Sequence, residues 1–365
     1  MLFHSFIVGG LGPNWSWLSR YGWMGVDLFF VLSGFLIGLQ VLGPMAAGGQ
    51  LSLGRFYLRR AFRILPAYWA VLLLCGLWPS FREAPGMEPG WKFFSFVVNL
   101  SIDYEKNTAF SHAWSLCVEE HFYGLFPLLA VVMFQRRSAW KFGLFCSAVV
   151  AAGIALRTAF WVHGMDADPG FKRNWFVEDL YYPTWSRLDG LLCGVALATW
   201  KTMRPQSWSG ARQYANWALL GGLMVVGASF WLFQNRVGFL ANTIGWPVLS
   251  LGLGLLVFAG ACPESLLGRR EVPLAGALAA ISYSVYLMHK AIYHLIQTQW
   301  GPQLEGTGLV AFLVYGIAAL AAGALLHGVV ERPFLRVRMR WTRWGHRQTQ
   351  SALAQTPSRD TQSPH

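Results

Sequence analysis

Charged side chains are scarce in this chain of 365 residues: Asp, Glu, Lys and Arg make up 13% of it, whereas 55% of the residues are hydrophobic. Soluble domains usually contain about 25% charged residues. The mean hydropathy is +0.39. This composition predicts an integral membrane protein, in which 19 Trp, 26 Phe and 12 Tyr would supply aromatic belts at the two membrane interfaces.

Cysteine is also scarce, and its spacing excludes two kinds of stabilised fold. The five cysteines are scattered, odd in number and free of C-x-x-C spacing, so we predict neither a disulfide framework nor a zinc site. We expect no bound metal and no resident cofactor. An internal repeat of the kind that marks repeat transporters is also missing.

Acidic residues are outnumbered by cations, which gives the chain a net charge of +12. In a soluble protein this excess would suggest nucleic acid as a partner. Here the cations flank apolar segments, so the positive-inside rule explains them, and we predict a lipid bilayer and no nucleic acid as partner. If the first apolar fragment starts in the cytoplasm, most cations fall in inner loops and most acids in outer ones. The bias therefore predicts that both termini are cytoplasmic.

Apolar segments of membrane-spanning length recur along the chain. They lie roughly at 25–43, 64–79, 119–134, 141–163, 186–200, 215–233, 242–261, 275–297 and 309–330. The fragment 1–11 has only half the length of a span, so we expect either that the natural start lies further upstream or that the protein is impaired. The pattern predicts an all-α, polytopic transmembrane helix bundle of about ten helices with a truncated first helix. We assign 1–335 to this domain and 336–365 to a basic, polar and disordered cytoplasmic tail.

Two ionisable residues stand out in the first apolar segments. Asp27 lies in the run GVDLFFVLSGFLIG, and a charge at bilayer depth costs at least about 2.5 kcal/mol, so it needs a partner or a polar cavity. The alternative places Asp27 at a helix end beneath the headgroups. His4 is the single ionisable residue of the first fragment, and its imidazole could move a proton or serve only as a structural hydrogen-bonding group. Asp27 on the next helix could orient the His4 ring.

Three arginines open the segment FYLRRAFRILPAYW. Arg59 and Arg63 share a helix face, as do Arg60 and Arg63. Guanidinium groups bind phosphates through paired, charge-assisted hydrogen bonds. The same residues could instead act only as positive-inside anchors of an inner loop.

Polar residues also mark the predicted outer ends of two helices. In HAWSLCVEEHFYGLFPLL, Glu119 either faces water or turns inward as a partner for an imidazole or a substrate, and Trp114 and Ser115 precede it. In TWSRLDGLLCG, Arg187 and Asp189 are two residues apart and point to different sides of a helix. Each therefore needs a partner elsewhere.

Small residues in the same segment predict close helix packing. Gly190 and Gly194 follow Asp189 at a spacing of four. That spacing forms a small-xxx-small face, which allows two membrane helices to approach closely.

Taken in order, these segments resemble the acyltransferase-3 family of membrane acyltransferases. The resemblance extends from His4 to Pro333 and is carried by GVDLFFVLSGFLIG, FYLRRAFRILPAYW, AWSLCVEEHFY, RLDGLLCG, ISYSVYLMH and ERP. It implies an enzyme of the bacterial inner membrane. Such an enzyme moves an acyl group, commonly acetyl, from cytoplasmic acyl-CoA to a hydroxyl of a carbohydrate or glycolipid outside or at the membrane.

The resemblance also implies roles for particular residues. His4 matches the essential histidine of the first helix, and Arg60 and Arg63 match the cytoplasmic R-x-x-R motif. Asp27, Ser33 and Glu119 match further motif positions, and we expect Asp27 or Glu119 to orient the His4 imidazole. Two features differ from the family: an arginine usually found upstream of the histidine is missing, and His121 replaces a common glutamine.

These observations combine into one set of candidate site residues. We predict that His4, Asp27 and Glu119 are catalytic and that Arg59, Arg60 and Arg63 bind acyl-CoA, the co-substrate. The residues expected to bind substrate are Ser33, Trp114, Ser115, Arg187 and Asp189. Trp114 and Trp185 could stack on an acceptor sugar. The alternative function is transport of a polar or anionic solute without acyl transfer, and the oligomeric state is not indicated.

Overall fold

The computed structural model describes residues 2–5, 8, 15, 20–134, 138–165, 174–270 and 272–340. Within these ranges every regular element is helical, which confirms the predicted all-α class. The α-helices are α1 Leu2–Ser5, α2 Met24–Ala46, α3 Leu53–Leu77, α4 Gly90–Phe94, α5 Trp114–Phe134, α6 Ala139–Met165, α7 Leu188–Met203, α8 Pro205–Ala211, α9 Ala215–Leu232, α10 Trp246–Gly260, α11 Ala275–Leu304 and α12 Leu309–Leu326. Three π-helical turns interrupt the bundle, at Phe176–Tyr181, Ala241–Gly245 and His327–Glu331.

Seven helical segments of the described chain are long and apolar enough to cross a membrane. The protein is therefore a multi-pass membrane protein, as predicted. Two of the expected spans are not among the seven. α7 has only 16 residues, and α11 carries polar residues such as His289 and Lys290 in its interior, which lower its hydropathy.

Close packing of α2 on α7 forms the centre of the fold. A Cβ atom added to Gly194 would lie 2.1 Å from the carbonyl oxygen of Val31, and one added to Gly34 would lie 2.0 Å from that of Leu191. Only glycine permits this approach of two helix backbones. The prediction that Gly190 and Gly194 form a packing face is confirmed, because Gly190 also lies against Asp27 and Phe30.

The other long helices surround this pair. α7 also contacts α6 and α10, α9 packs on α10, and α11 packs on α12. Between α2, α3, α5 and α11 the packing leaves a cavity. The polar residues discussed below lie in its wall or just behind it.

At the ends of the chain the structure describes only part of what was predicted. The first fragment is described at Leu2–Ser5 and Val8, so the expected half-span otherwise lies outside the described residues. Beyond the π turn, helix continues to Arg340. The first part of the expected disordered tail is therefore helical, and 341–365 lies outside the described residues.

Candidate active site

The cavity is about 1430 Å³ in volume and runs along α2. Its wall includes Gly25 near the start of that helix and Gln40 near its end, a separation of about 22 Å at a rise of ~1.5 Å per residue. Arg60 and Arg63 line the end near Gln40, and His4 lines the opposite part. One continuous space thus joins a cationic end to an imidazole.

His4 forms a hydrogen bond with His289 of α11. The distance from Nδ1 of His4 to Nε2 of His289 is 2.7 Å. The two rings are nearly coplanar, at 21° with centroids 4.9 Å apart, which fits an in-plane N–H···N bond between ring edges. His289 itself is 1% exposed, so its ring is held firmly by the bundle.

The partners of His289 determine which nitrogen of His4 carries the proton. Nδ1 of His289 lies 2.7 Å from the carbonyl oxygen of Tyr286, and a carbonyl can only accept, so this nitrogen must carry a hydrogen. In the neutral ring, Nε2 of His289 then accepts, and Nδ1 of His4 donates to it. Nε2 of His4 is left with a free lone pair, and no described residue hydrogen-bonds to it. His4 therefore has the tautomer that a general base or nucleophile requires.

A third histidine belongs to the wall beside this pair but points elsewhere. Nε2 of His112 lies 3.3 Å from the carbonyl oxygen of Leu287, and its Nδ1 lies 3.8 Å from Glu83. Glu83 also binds Lys290 at 2.9 Å. Although burial alone raises the pKa of the Glu83 carboxyl, His112 and Lys290 outweigh it and hold that pKa well below its usual range. Glu83 therefore stays charged and ties the loop between α3 and α5 to α11.

Glu119 is bound to hydroxyl groups rather than to His4. Its Oε1 accepts hydrogen bonds from Ser33 Oγ at 2.5 Å and from Tyr123 OH at 2.9 Å. All three side chains line the cavity between its cationic end and His4. Glu119 therefore faces inward rather than toward water. It does not contact the His4 imidazole, however, and the residue that orients that ring is His289. Ser33 and Glu119 instead place polar atoms midway along the cavity.

The three predicted phosphate-binding arginines occupy different positions. Arg60 stacks on Tyr123, with its guanidinium carbon 4.4 Å from the ring centroid. Arg63 forms an ion pair with Glu331. Arg59 is exposed, donates from Nε to the carbonyl oxygen of Arg55 at 3.2 Å, and is not part of the cavity wall. Of the predicted set, Arg60 and Arg63 line the cavity and Arg59 does not.

Asp27 lies in the first turn of α2 and is buried by protein. Its Oδ1 accepts from Nη2 of Arg187 at 2.7 Å, and the two residues are 5% and 2% exposed. The partner predicted for a buried Asp27 is therefore Arg187. The expected contact between Asp27 and the His4 ring is not found, since the carboxylate is committed to a guanidinium that is itself enclosed by aromatic rings.

Asp189 is likewise paired within the bundle. Arg157 of α6, fully buried, binds it through two N–H groups at 2.7 and 3.2 Å. The expectation that Arg187 and Asp189 have separate partners is confirmed. Neither residue lines the cavity, and each takes part in an ion pair inside the bundle. This placement gives no support to their predicted contact with substrate.

Trp114 and Ser115 do lie in the cavity wall. Trp114 stacks on Tyr182 with ring centroids 5.0 Å apart at 10°. Ser115 Oγ is 2.6 Å from the hydroxyl of Tyr286. Their predicted access to a substrate is compatible with this placement, whereas Trp185 lies outside the wall and stacks on Phe160.

A family model described as an acyltransferase domain matches residues 1–328. The chain belongs to the acyltransferase-3 family. Among curated relatives, this acyltransferase-3 protein is similar to a Staphylococcus aureus (strain COL) protein provisionally named an O-acetyltransferase. The two are 23% identical in an alignment 357 positions long, which covers 91% of this chain and 55% of that protein.

A second relative carries a more specific name. Peptidoglycan O-acetyltransferase OatA of Listeria monocytogenes is 27% identical in an alignment 198 positions long, which covers 51% of the acyltransferase-3 chain and 30% of OatA. The chain thus spans about half the length of the staphylococcal relative. No solved structure matches the acyltransferase-3 chain.

The partners of His4 and Asp189 were not predicted from the sequence. The motif ISYSVYLMH ends at His289, and it supported the family resemblance without a role for that histidine. Arg157 lies in the apolar interior of α6, where a charge is as costly as at Asp27, so its position in the sequence already indicated a buried partner.

Proposed function

We propose that this protein is a membrane O-acyltransferase that moves an acyl group, acetyl in its commonest form, from cytoplasmic acyl-CoA to a hydroxyl of an extracytoplasmic or membrane-associated carbohydrate. The observation that carries the proposal is the single cavity that joins Arg60 and Arg63 to His4. Family membership and the names of the relatives support the reaction class.

The cationic end of the cavity is suited to the phosphates of CoA. Arg60 is the freer of the two arginines there, because Arg63 is already paired with Glu331. Nε of Arg60 is buried without a hydrogen-bond partner, so a phosphate at that position would supply one. An extended pantetheine arm could then follow the cavity past Ser33 and Glu119 and carry the thioester toward His4.

His4 would perform the proton transfer. Its Nε2 takes the proton of the acceptor hydroxyl while the oxygen attacks the thioester carbonyl carbon. The tetrahedral intermediate collapses, the C–S bond breaks, and the CoA thiolate receives the proton from Nε2. During this cycle Nδ1 of His4 keeps its bond to His289, which holds the ring in one orientation. An acyl-histidine route would use the same Nε2 as nucleophile.

Sidedness distinguishes this function from transport. We expect purified protein in vesicles to acylate a sugar acceptor when acyl-CoA is supplied at the face bearing Arg60 and the acceptor is confined to the other face. Product would be followed with radiolabelled acyl-CoA. A requirement for both substrates on one face would contradict transfer across the membrane. Movement of the sugar without consumption of acyl-CoA would instead support the transport alternative.

Arg60 offers a test of the donor site with a matched control. Arg60→Lys keeps the charge but removes the planar fork that binds phosphate, so we expect KM for acyl-CoA to rise roughly tenfold, the change that ~1.4 kcal/mol produces. Arg63→Lys should behave similarly, with a further loss from its bond to Glu331.

The control is Arg59→Lys on the same helix, which should leave KM unchanged because Arg59 is exposed outside the cavity. If the Arg60 and Arg59 variants had the same KM for acyl-CoA, Arg60 would be only a positive-inside anchor of the inner loop. A larger effect at Arg59 would restore the wider set that the sequence predicted.

A further inference from the structure

Arg236 lies in the cavity wall at the end away from Arg60, in the connection after α9. Aromatic rings surround its guanidinium carbon. The distances to ring centroids are 4.1 Å for Tyr181, 4.8 Å for Trp23, 5.5 Å for Phe176 and 5.7 Å for Phe3. These contacts hold the guanidinium in place by cation–π attraction without neutralising its charge.

Among the described residues at this end of the bundle, one arginine has no carboxylate paired with it. Arg187 is paired with Asp27, and Arg157 with Asp189. Arg236 has no ion pair with any described carboxylate, and its Nε is buried without a hydrogen-bond partner. Asp27 is near enough to act on Arg236 electrostatically. That carboxylate is already bound to Arg187, so two guanidinium groups share one negative charge.

We propose that Arg236 is an anion-binding subsite for the acceptor, so that the protein acts on an acidic carbohydrate bearing a carboxylate or phosphate group. This inference rests on the proposed function. A guanidinium can bind either anion through paired hydrogen bonds. An anion there would supply the missing counter-charge and the missing partner of Nε. His4 lines the same cavity, which places the acceptor hydroxyl within the space where Nε2 is free.

Binding can be measured without acyl-CoA, on the full chain in lipid nanodiscs. The matched probes are p-nitrophenyl glucuronide, its neutral methyl ester and p-nitrophenyl glucoside 6-phosphate. We expect one or both anionic probes to bind roughly tenfold more tightly than the ester, since a hydrogen bond to a charged group is lost with the ester. The stronger of the two identifies carboxylate or phosphate as the group recognised.

Variants assign the preference to one residue. Arg236→Gln should abolish it, Arg236→Lys should retain part of it, and Arg270→Gln, which removes an exposed cation elsewhere, should leave it intact. If Arg236→Gln does not fold, the test is the salt dependence of binding to the wild-type protein. The affinity for the anionic probe should fall at high salt, whereas the affinity for the ester should not.

The proposal would be overturned if the wild-type protein bound all three probes with equal affinity. It would also be overturned if folded Arg236→Gln kept the full preference for an anionic probe over the ester. Acyl transfer is measured separately on the same preparations. Anion preference without transfer would leave the subsite standing and contradict the proposed function, whereas transfer without anion preference would do the reverse.

Discussion

His4→Ala is expected to lower acyl transfer by about 10²–10⁴-fold, the contribution of a positioned general base. The variant removes the free Nε2 that lines the cavity but leaves Arg60 and Arg63 in place, so acyl-CoA should bind with nearly wild-type affinity. Transfer from radiolabelled acyl-CoA and equilibrium binding of acyl-CoA are the two measurements. Turnover close to that of the wild type would exclude His4 from the reaction.

His289 provides the accompanying control for how His4 is held. His289→Leu removes the acceptor for Nδ1 of His4 and should lower kcat with little effect on KM for acyl-CoA, because the ring loses its tautomer and orientation. His289→Gln restores an acceptor oxygen on a side chain of similar reach, so it should recover part of kcat. An unchanged kcat in the Leu variant would show that the bond to His289 does not position His4.

Asp27→Ala is expected to destabilise the protein by about 3–5 kcal/mol, the cost of leaving a buried charge unpaired. The unpaired charge would be Arg187, which is 2% exposed and lies 3.8 Å from the ring centroid of Trp246. The thermal unfolding midpoint in detergent, followed together with the yield of folded protein, measures the loss.

The double variant Asp27→Ala with Arg187→Met tests whether the pair is the cause. Methionine keeps the apolar stem among the aromatic rings and removes the charge, so the double variant should be more stable than Asp27→Ala alone. If Asp27 were catalytic instead, Asp27→Ala would fold with the wild-type midpoint and lack activity. That result would reverse the structural role assigned to Asp27 here.

Much of the architecture follows from local properties that can be read directly from the sequence, such as charge content, apolar segments and glycine spacing. The low charge content and the apolar segments predicted a helical membrane bundle, and the structure has that form. The glycine spacing at Gly190 and Gly194 predicted a close helix contact. The cost of buried charge predicted that Asp27, Arg187 and Asp189 would each have partners, and each does. Length and hydropathy were less reliable for assigning α7 and α11 as membrane spans, because a helix buried inside the bundle does not need a fully apolar surface.

The identity of those partners was decided by the tertiary structure. Asp27 was expected beside His4 because their helices are neighbours in the chain, but its ion pair joins α2 to the residue before α7, 160 positions away. The hydrogen bond between His4 and His289 spans 285 positions. Sequence periodicity reports the environment of one helix face, whereas a contact depends on how helices cross and rotate against one another. The same packing that buries glycine backbones between α2 and α7 determines which charges meet, which arginines reach the cavity, and which nitrogen of His4 stays free.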